Sequence, residues 1–360
     1  MLLENIRLAN FRNYVSLDVD PEPGLNMFVG PNAQGKSNLL EAIAMLATGK
    51  SFRAKREVEL VRSGAVLAEI GGDARMAAGR VRLRCAIDRS AGGTRKTFGI
   101  NGAAVGFARF LGRARVVTFV PADLALVAGG PAVRRTFLNV ALAQGSPAYY
   151  RDLARYQKII GHKSALLRGA IAPDRDLLLA YNDEMLRPGR ALMAARAAFV
   201  EEIAAAAGGI YDRWHATRER VAVRYAPNAG EADLGDALAA NVDLEVRRRQ
   251  TLVGPHRDDL RLDLDGRPLA AYGSQGQQRT AVLALKVAEY EVMRARAGDA
   301  PILLLDDVLS ELDADRAGGF LAAVGSFEQA FLTTTGLPAG VAAGMAAYTI
   351  RAGRISRLSC

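Results

Sequence analysis

Cysteine is almost absent from this sequence. Its 360 residues include only two, Cys85 in a strand-like stretch and Cys360 at the end. Two cysteines so placed predict neither a disulfide framework nor a metal site. Apolar runs of the ~20 residues that cross a bilayer are missing. Residues 1–6 also lack the basic start and apolar stretch of a signal peptide. We therefore expect a cytoplasmic protein with no membrane partner.

Lysine is also scarce, although the chain is basic. Only seven residues are lysine, so arginine carries nearly all of the positive charge behind the formal net charge of +9. A GC-rich genome also favours arginine, alanine and glycine, so this bias alone says little about function. Nucleic acid is nevertheless the polyanion that we expect a basic protein of this kind to bind.

The hydrophobic pattern divides the chain into three parts. Up to residue 120, short apolar and alternating runs predict strands, with one helix at 38–46. The strands include an antiparallel meander over 66–105 that turns at Asn101-Gly102. From Pro131 the pattern is helical. The predicted helices are 131–143, 148–168 and 174–220, the last interrupted at Pro188-Gly189. After residue 250, strands and one long helix return. We therefore predict an α/β protein with an inserted helical lobe, divided as 1–128, 129–249 and 250–360.

A glycine-rich loop between a predicted strand and a predicted helix fits the phosphate-binding pattern G-x-x-x-x-G-K-[ST]. Its residues are Gly30, Pro31, Asn32, Ala33, Gln34, Gly35, Lys36 and Ser37. Loop amides and the helix N-terminus attract phosphate. Lys36 should reach the β- and γ-phosphates, and the Ser37 hydroxyl should bind Mg²⁺. The alternative is a chance glycine-rich turn, but the correct flanking elements favour ATP·Mg²⁺ binding.

A second motif would complete the metal site. The apolar residues 302–305 predict a buried strand that ends in Asp306 and Asp307. Because parallel strands deliver their carboxyl ends to one edge of a sheet, both carboxylates should lie near the glycine-rich loop. Asp306 would hold Mg²⁺, and Asp307 would orient the attacking water as a catalytic residue beside Lys36. The alternative is an acidic turn that caps a core strand.

A third segment precedes the long helix. Ser274 can cap this helix, with Gln277 completing a capping box. In the simpler interpretation the segment is only a well-capped helix start. The same geometry, however, presents a hydroxyl and free amides to an anion. Ser274, Gln275, Gly276 and Gln277 resemble the ABC signature Leu-Ser-Gly-Gly-Gln, although Gly273 replaces Leu and Gln275 replaces the first Gly.

Candidate DNA contacts are concentrated in one basic segment. Lys50, Arg53, Lys55 and Arg56 lie around Phe52 and predict phosphate contacts, although a solvated loop would have the same composition. Weaker candidates are Arg134-Arg135 and Arg247-Arg248-Arg249. His162, His215 and His256 are far apart in the sequence and show no metal-ligand spacing.

In combination these motifs resemble the SMC-type branch of the ABC ATPases. Along nearly the whole chain the pattern is similar to one family, the bacterial RecF recombination-repair proteins. The segments that carry the resemblance are Phe11-Arg12-Asn13-Tyr14, residues 30–43, Ser51-Phe52-Arg53, residues 119–124, 129–135, 254–260, 274–279 and 305–313. The resemblance implies an ABC-type P-loop ATPase head, with a mixed sheet and an antiparallel β-subdomain. It also implies an inserted helical lobe with a short coiled-coil-like arm.

The resemblance also implies a function. Ser274 and Gln277 would act in trans on ATP bound by a second copy, so ATP would close a homodimer. Arg12 would contact nucleotide phosphate. The protein would bind single-stranded or gapped DNA, cooperate with RecR and RecO in loading RecA, and support replication restart and the SOS response.

Two departures predict slow hydrolysis, so that a weak DNA-stimulated ATPase acts as a switch. Asp307 stands where the family pattern has a longer Glu, and no histidine follows the late strand, where Thr334 or Thr335 would sense the γ-phosphate instead. The main alternative is the nucleotide-binding subunit of an ABC transporter, which should carry that Glu and that histidine. A nucleotide-stabilised scaffold without hydrolysis is a third hypothesis.

Overall fold

A computed structural model describes residues 1–90, 93–169, 173–214, 219–230, 232–308, 327–336 and 346–358. The chain divides into two compact units. The first comprises Met1–Asp123 with Glu289–Cys360, and the second comprises Leu124–Ala288.

The elements of the described residues follow in chain order. The strands are β1 (Leu2–Phe11), β2 (Tyr14–Val19), β3 (Gly24–Val29), β4 (Leu67–Met76), β5 (Gly79–Asp88), β6 (Arg95–Ile100), β7 (Ala103–Val105), β8 (Val116–Phe119), β9 (Val221–Ala226), β10 (Asp259–Leu264), β11 (Arg267–Pro268), β12 (Ile302–Asp306), β13 (Gln329–Thr334), β14 (Ala346–Arg351) and β15 (Arg354–Arg357). The helices are α1 (Lys36–Thr48), α2 (Phe107–Phe110), α3 (Ala125–Ala128), α4 (Pro131–Gly145), α5 (Pro147–Gly169), α6 (Arg175–Trp214), α7 (Leu234–Arg248), α8 (Leu269–Tyr272) and α9 (Gln275–Ala297).

The first unit contains two sheets. One is antiparallel, in the order β2-β1-β4-β5-β6-β7, and includes the predicted meander. Its turn at Asn101-Gly102 has positive φ at both residues, 51° and 83°, as a two-residue hairpin requires. The other sheet is mixed, in the order β15-β14-β3-β13-β12-β8, with antiparallel pairing only between β14 and β15.

Helix α1 packs within the core of this unit. Its Leu39, Ile43 and Leu46 share one buried cluster with Ile6 of the antiparallel sheet and Leu304 of the mixed sheet. Since side chains on nearly every face of the helix are buried, its sequence is apolar throughout rather than striped. The strand before the glycine-rich loop and the helix after it are therefore both held in the core.

The second unit is mainly helical. Helices α5 and α6, of 23 and 40 residues, are joined by a short connection and pack on one another. A small sheet in the order β11-β10-β9 completes the unit. Two buried ion pairs tie it together, Arg196 with Asp258 at 2.9 Å and Lys163 with Glu245 at 2.6 Å. The predicted α/β class, with an antiparallel β-subdomain and a helical lobe, is confirmed.

The predicted interruption at Pro188-Gly189 is wrong, because α6 runs through both residues. Proline inside a helix costs about 3 kcal/mol through its missing donor and its ring. Both residues are buried, and a Cβ at position 189 would lie 2.6 Å from Leu234. Tertiary packing therefore outweighs the local penalty, and Gly189 allows the close approach of α7.

The predicted boundary at residue 249 falls inside the second unit. Strand β10 pairs with β9, so that Asp263 lies opposite Ala222, and this pairing joins the segment after residue 249 to the helical part. The boundary between units on that side follows Ala288, within α9.

Candidate nucleotide-binding site

The glycine-rich loop joins β3 to α1 in the first unit. Gly35 has φ of +115°, a conformation that side chains rarely adopt, and a Cβ there would lie 2.7 Å from Asn13 Nδ2. At Gly30 a Cβ would lie 2.5 Å from the carbonyl oxygen of Ile350. Both glycines are therefore needed for the path of the loop. Pro31, Asn32 and Ala33 are exposed at its tip.

The turn between β1 and β2 supports this loop. Asn13 Nδ2 donates to the Gln34 carbonyl at 2.9 Å, and the Tyr14 hydroxyl donates to the Gly35 carbonyl at 2.9 Å. From the other side, the amide of Ala352 donates to Gln34 Oε1 at 2.8 Å. This role of Asn13 and Tyr14 could not be predicted from the sequence, because nothing local links them to a loop twenty residues away.

Lys36 lies at the base of the loop. Its ammonium group donates to the carbonyls of Gly30 and Pro31. Burial lowers its pKa below the usual value, although the nearby carboxylates of Asp307 and Asp306 raise it. A partly desolvated ammonium group beside two carboxylates suits an anionic ligand that carries its own cation.

The two predicted metal ligands meet in the structure. Ser37 Oγ donates to Asp306 Oδ1 at 2.8 Å, although the residues are far apart in sequence. A hydroxyl and a carboxylate are hard oxygen ligands, and Mg²⁺ is commonly held by one or two such groups together with phosphate oxygens and water. Within the described ranges no group of three or more His, Cys, Asp or Glu side chains could form an all-protein metal site.

Thr333 is a site residue that the sequence analysis missed. Its side chain is fully buried, and its hydroxyl donates to Asp306 Oδ1 at 2.7 Å and accepts from the amide of Asp307 at 3.0 Å. Thr334, one of the two predicted γ-phosphate sensors, instead donates to the Gly336 carbonyl at 2.9 Å. Pairing of Thr333 with Asp306 in the parallel register places that hydroxyl at the site. Because β13 is buried at every position, its sequence pattern gave no signal for this role.

These residues line a cleft of about 130 Å³. It is lined by Asn32, Ala33, Gly35, Lys36, Ser37, Asn38, Arg53, Asp306, Asp307 and Thr333. Asp307 follows β12 with φ of 53°, an unusual conformation for a residue other than glycine. Arg53 borders the candidate nucleotide cleft and is also exposed, so its predicted DNA contact stays a prediction. Lys50, Lys55 and Arg56 are exposed, and their DNA contacts stay predictions.

Arg12 takes part in a buried ion pair. Its guanidinium donates twice to Glu41, at 2.8 and 2.7 Å, and once to the Glu59 carbonyl at 3.0 Å. The predicted contact between Arg12 and nucleotide phosphate stays a prediction.

The signature segment begins α9 in the second unit. The capping box is confirmed, since the Ser274 amide donates to Gln277 Oε1 at 2.7 Å and the Gln277 amide donates to Ser274 Oγ at 3.2 Å. Gln277 Nε2 also donates to Glu219 at 2.8 Å. Ser274 and Gln275 are exposed, and their action in trans stays a prediction. The D-loop candidate, residues 310–313, lies outside the described residues.

Comparison with known proteins decides the family. The profile described as RecF/RecN/SMC N terminal domain matches residues 2–338. The protein named DNA replication and repair protein RecF in Symbiobacterium thermophilum is 41% identical over 351 residues, covering 94% of this chain and 92% of that relative. Its namesake in Roseiflexus castenholzii is 40% identical and covers 88% of each chain. The chain belongs to the RecF family.

Solved structures agree with this assignment. The recombination mediator protein RecF-ATP of the RecFOR pathway matches with a TM-score of 0.89 at 30% identity, covering 99% of this chain and 97% of that one. The SMC head domain of Pyrococcus furiosus has a TM-score of 0.59 at 16% identity, covering 99% and 96%, and shares the fold alone.

Membership of the RecF family confirms the predicted resemblance and gives the chain the ATPase fold of DNA replication and repair proteins. It favours the DNA-repair hypothesis over a transporter subunit. Among the described residues, no helix is both long and apolar enough to span a membrane.

Proposed function

We propose that this RecF family member is an ATP-dependent DNA-binding protein of recombinational gap repair and replication restart. The observation that carries the proposal is the contact of Ser37 with Asp306 at 2.8 Å, beside Lys36 in one cleft. This contact joins the two halves of a P-loop nucleotide site. The similar RecF-ATP structure, which matches nearly the whole chain, supports ATP as the ligand of this site.

Within the site each residue has a separate task. Ser37 and Asp306 would hold Mg²⁺, which neutralises phosphate charge when bound. Lys36 and the amides of residues 30–37 bind the phosphates. Thr333 keeps the Asp306 carboxylate oriented, and Asp307 positions the attacking water. Because the Asp307 side chain is one methylene shorter than the glutamate of the family pattern, we expect slow hydrolysis.

ATP would act mainly by stabilising a homodimer. Ser274, Gln275, Gly276 and Gln277 would complete the nucleotide site of a second copy, and hydrolysis would reset the dimer. Single-stranded or gapped DNA would stimulate hydrolysis, and Lys50, Arg53, Lys55 and Arg56 would contact its phosphates. RecR and RecO would be partners in loading RecA in the cytoplasm, with the SOS response downstream. The similarity to the recombination mediator protein RecF of the RecFOR pathway supports these partners.

Sedimentation with and without ATP, Mg²⁺ and gapped DNA tests this proposal. The wild type should form a dimer with ATP, whereas Lys36→Ala and Ser274→Ala should stay monomeric. Ser274→Asp is a sharper variant, because aspartate also caps a helix but repels phosphate, so α9 should keep its stability while dimerisation is lost. If Ser274→Asp dimerises normally, the signature does not act in trans.

ATP turnover distinguishes the remaining alternatives. Stimulation by gapped DNA supports the switch. Membrane association without stimulation by DNA would favour a transporter subunit. ATP binding with no hydrolysis, even with DNA present, would favour a scaffold.

A further inference from the structure

Glu41 is a buried carboxylate in the middle of the apolar helix α1. Its side chain is fully inaccessible to solvent. A buried carboxylate is costly unless charged or polar donors satisfy it. Glu41 does not line the nucleotide cleft, and the proposed function gives it no role.

Three side chains donate to this carboxylate. Arg12 forms a two-pronged ion pair with it, at 2.8 and 2.7 Å. The Ser51 hydroxyl donates to Oε1 at 2.5 Å, and Arg53 Nη2 approaches Oε2 at 3.5 Å. Glu41 therefore joins the turn between β1 and β2 to the segment that follows α1.

Two sets of contacts connect Glu41 to Arg53. Glu41 contacts the Arg53 guanidinium directly, and it also holds the Ser51 hydroxyl. That hydroxyl accepts from the amides of Arg53 and Ala54 at 2.9 and 2.6 Å, which fixes the turn from which the Arg53 side chain leaves. The Arg53 guanidinium also donates to Asn38, the residue after the P-loop serine.

We propose that Glu41 is a positioning residue that holds the Arg53 guanidinium at the rim of the nucleotide cleft. The inference rests on the proposed function, because it requires that the cleft bind ATP·Mg²⁺. The Arg53 side chain is 47% exposed and, without an anchor, would sample many rotamers in water. Ordering a long side chain in advance lowers the entropy cost of ligand binding. The carboxylate also offsets the repulsion between two neighbouring arginines.

A double-mutant cycle on ATP affinity, measured by calorimetry with Mg²⁺, tests this role. Glu41→Gln and Arg53→Ala should each weaken ATP binding about tenfold, within the range expected for residues in contact. The double variant should bind about as weakly as Arg53→Ala alone, because Glu41 acts through Arg53. A purely structural role of Glu41 would instead make the two losses multiply to about a hundredfold, and that result would overturn the proposal.

Three further variants make the cycle decisive. Glu59→Gln removes a neighbouring carboxylate whose side chain pairs with Arg56, so its ATP affinity should equal that of the wild type. Lys36→Ala should abolish binding. If it does so while Glu41→Gln binds normally, the inference fails and the proposed function stands; if the wild type does not bind ATP, both fail. Should Glu41→Gln not fold, Ser51→Ala replaces it, with an affinity loss of about threefold that disappears in the Arg53→Ala background.

Discussion

Thr333 offers the sharpest test of the site, because its hydroxyl is fully buried and makes two hydrogen bonds. Thr333→Val removes that hydroxyl and almost nothing else, since valine has nearly the same shape. The Asp306 carboxylate then loses a donor, and the Asp307 amide loses its acceptor. Neither loss can be repaired by repacking.

The expected cost follows from these two bonds. A hydrogen bond to a charged group contributes about 1.5–3 kcal/mol, and a buried amide left unpaired costs about 1–3 kcal/mol. Because the two effects share one site and are not additive, we expect the free energy of unfolding to fall by about 2–4 kcal/mol. Affinity for ATP·Mg²⁺ should fall about 10–100-fold, as for other residues that orient a metal ligand.

Urea denaturation measures the first quantity, and calorimetric titration with ATP and Mg²⁺ measures the second. Thr333→Ser is the matched control, because it keeps the hydroxyl and loses only a methyl group. Its ATP affinity should stay close to that of the wild type. The reasoning is refuted if Thr333→Val binds ATP·Mg²⁺ as tightly as Thr333→Ser does.

Three other predictions concern pH, ion pairing and the loop. Burial lowers the pKa of His256 to about 3. As the pH falls below about 6.5, the imidazole therefore binds a proton in the unfolded chain but stays neutral in the folded chain. The free energy of unfolding should therefore fall from pH 7 towards pH 4, by at most about 1.4 kcal/mol per pH unit from this group. In urea melts at several pH values, the free energy of unfolding of His256→Gln should depend less steeply on pH than that of the wild type. An equally steep dependence would contradict the assignment. Lys163→Met leaves Glu245 buried and unpaired and should cost about 3–5 kcal/mol in urea melts. The double variant Lys163→Met with Glu245→Leu should recover most of the lost stability. A double variant as unstable as Lys163→Met alone would argue against this ion pair. Gly35→Ala should abolish ATP binding in a calorimetric titration, because its Cβ would lie 2.7 Å from Asn13, and normal binding would show that the loop can move.

Features encoded in contiguous residues could be predicted from the sequence. The hairpin at Asn101-Gly102 is one example, since both residues adopt positive φ, 51° and 83°. The capping box of Ser274 and Gln277 is another, because all of its donors and acceptors lie within one helical turn. For such features the local chain chemistry is sufficient.

The contact of Ser37 with Asp306 was also predictable, although it is long-range. The carboxyl ends of parallel strands share one edge of a sheet, so recognising both strands places both residues there. Arg53 was different. Its sequence context predicts a DNA contact, and only the fold of the segment after α1 shows that it also borders the nucleotide cleft.

By itself, then, the sequence determined the α/β class, the hairpin turn, the capping box, the phosphate loop and the family. The tertiary structure alone decided that α6 continues through Pro188, that Asn13 supports the loop, and that Thr333 holds Asp306. The physical reason is that these outcomes depend on packing and strand register between distant segments. Favourable burial there can offset a local penalty, and a shift of one residue decides which side chain faces the site.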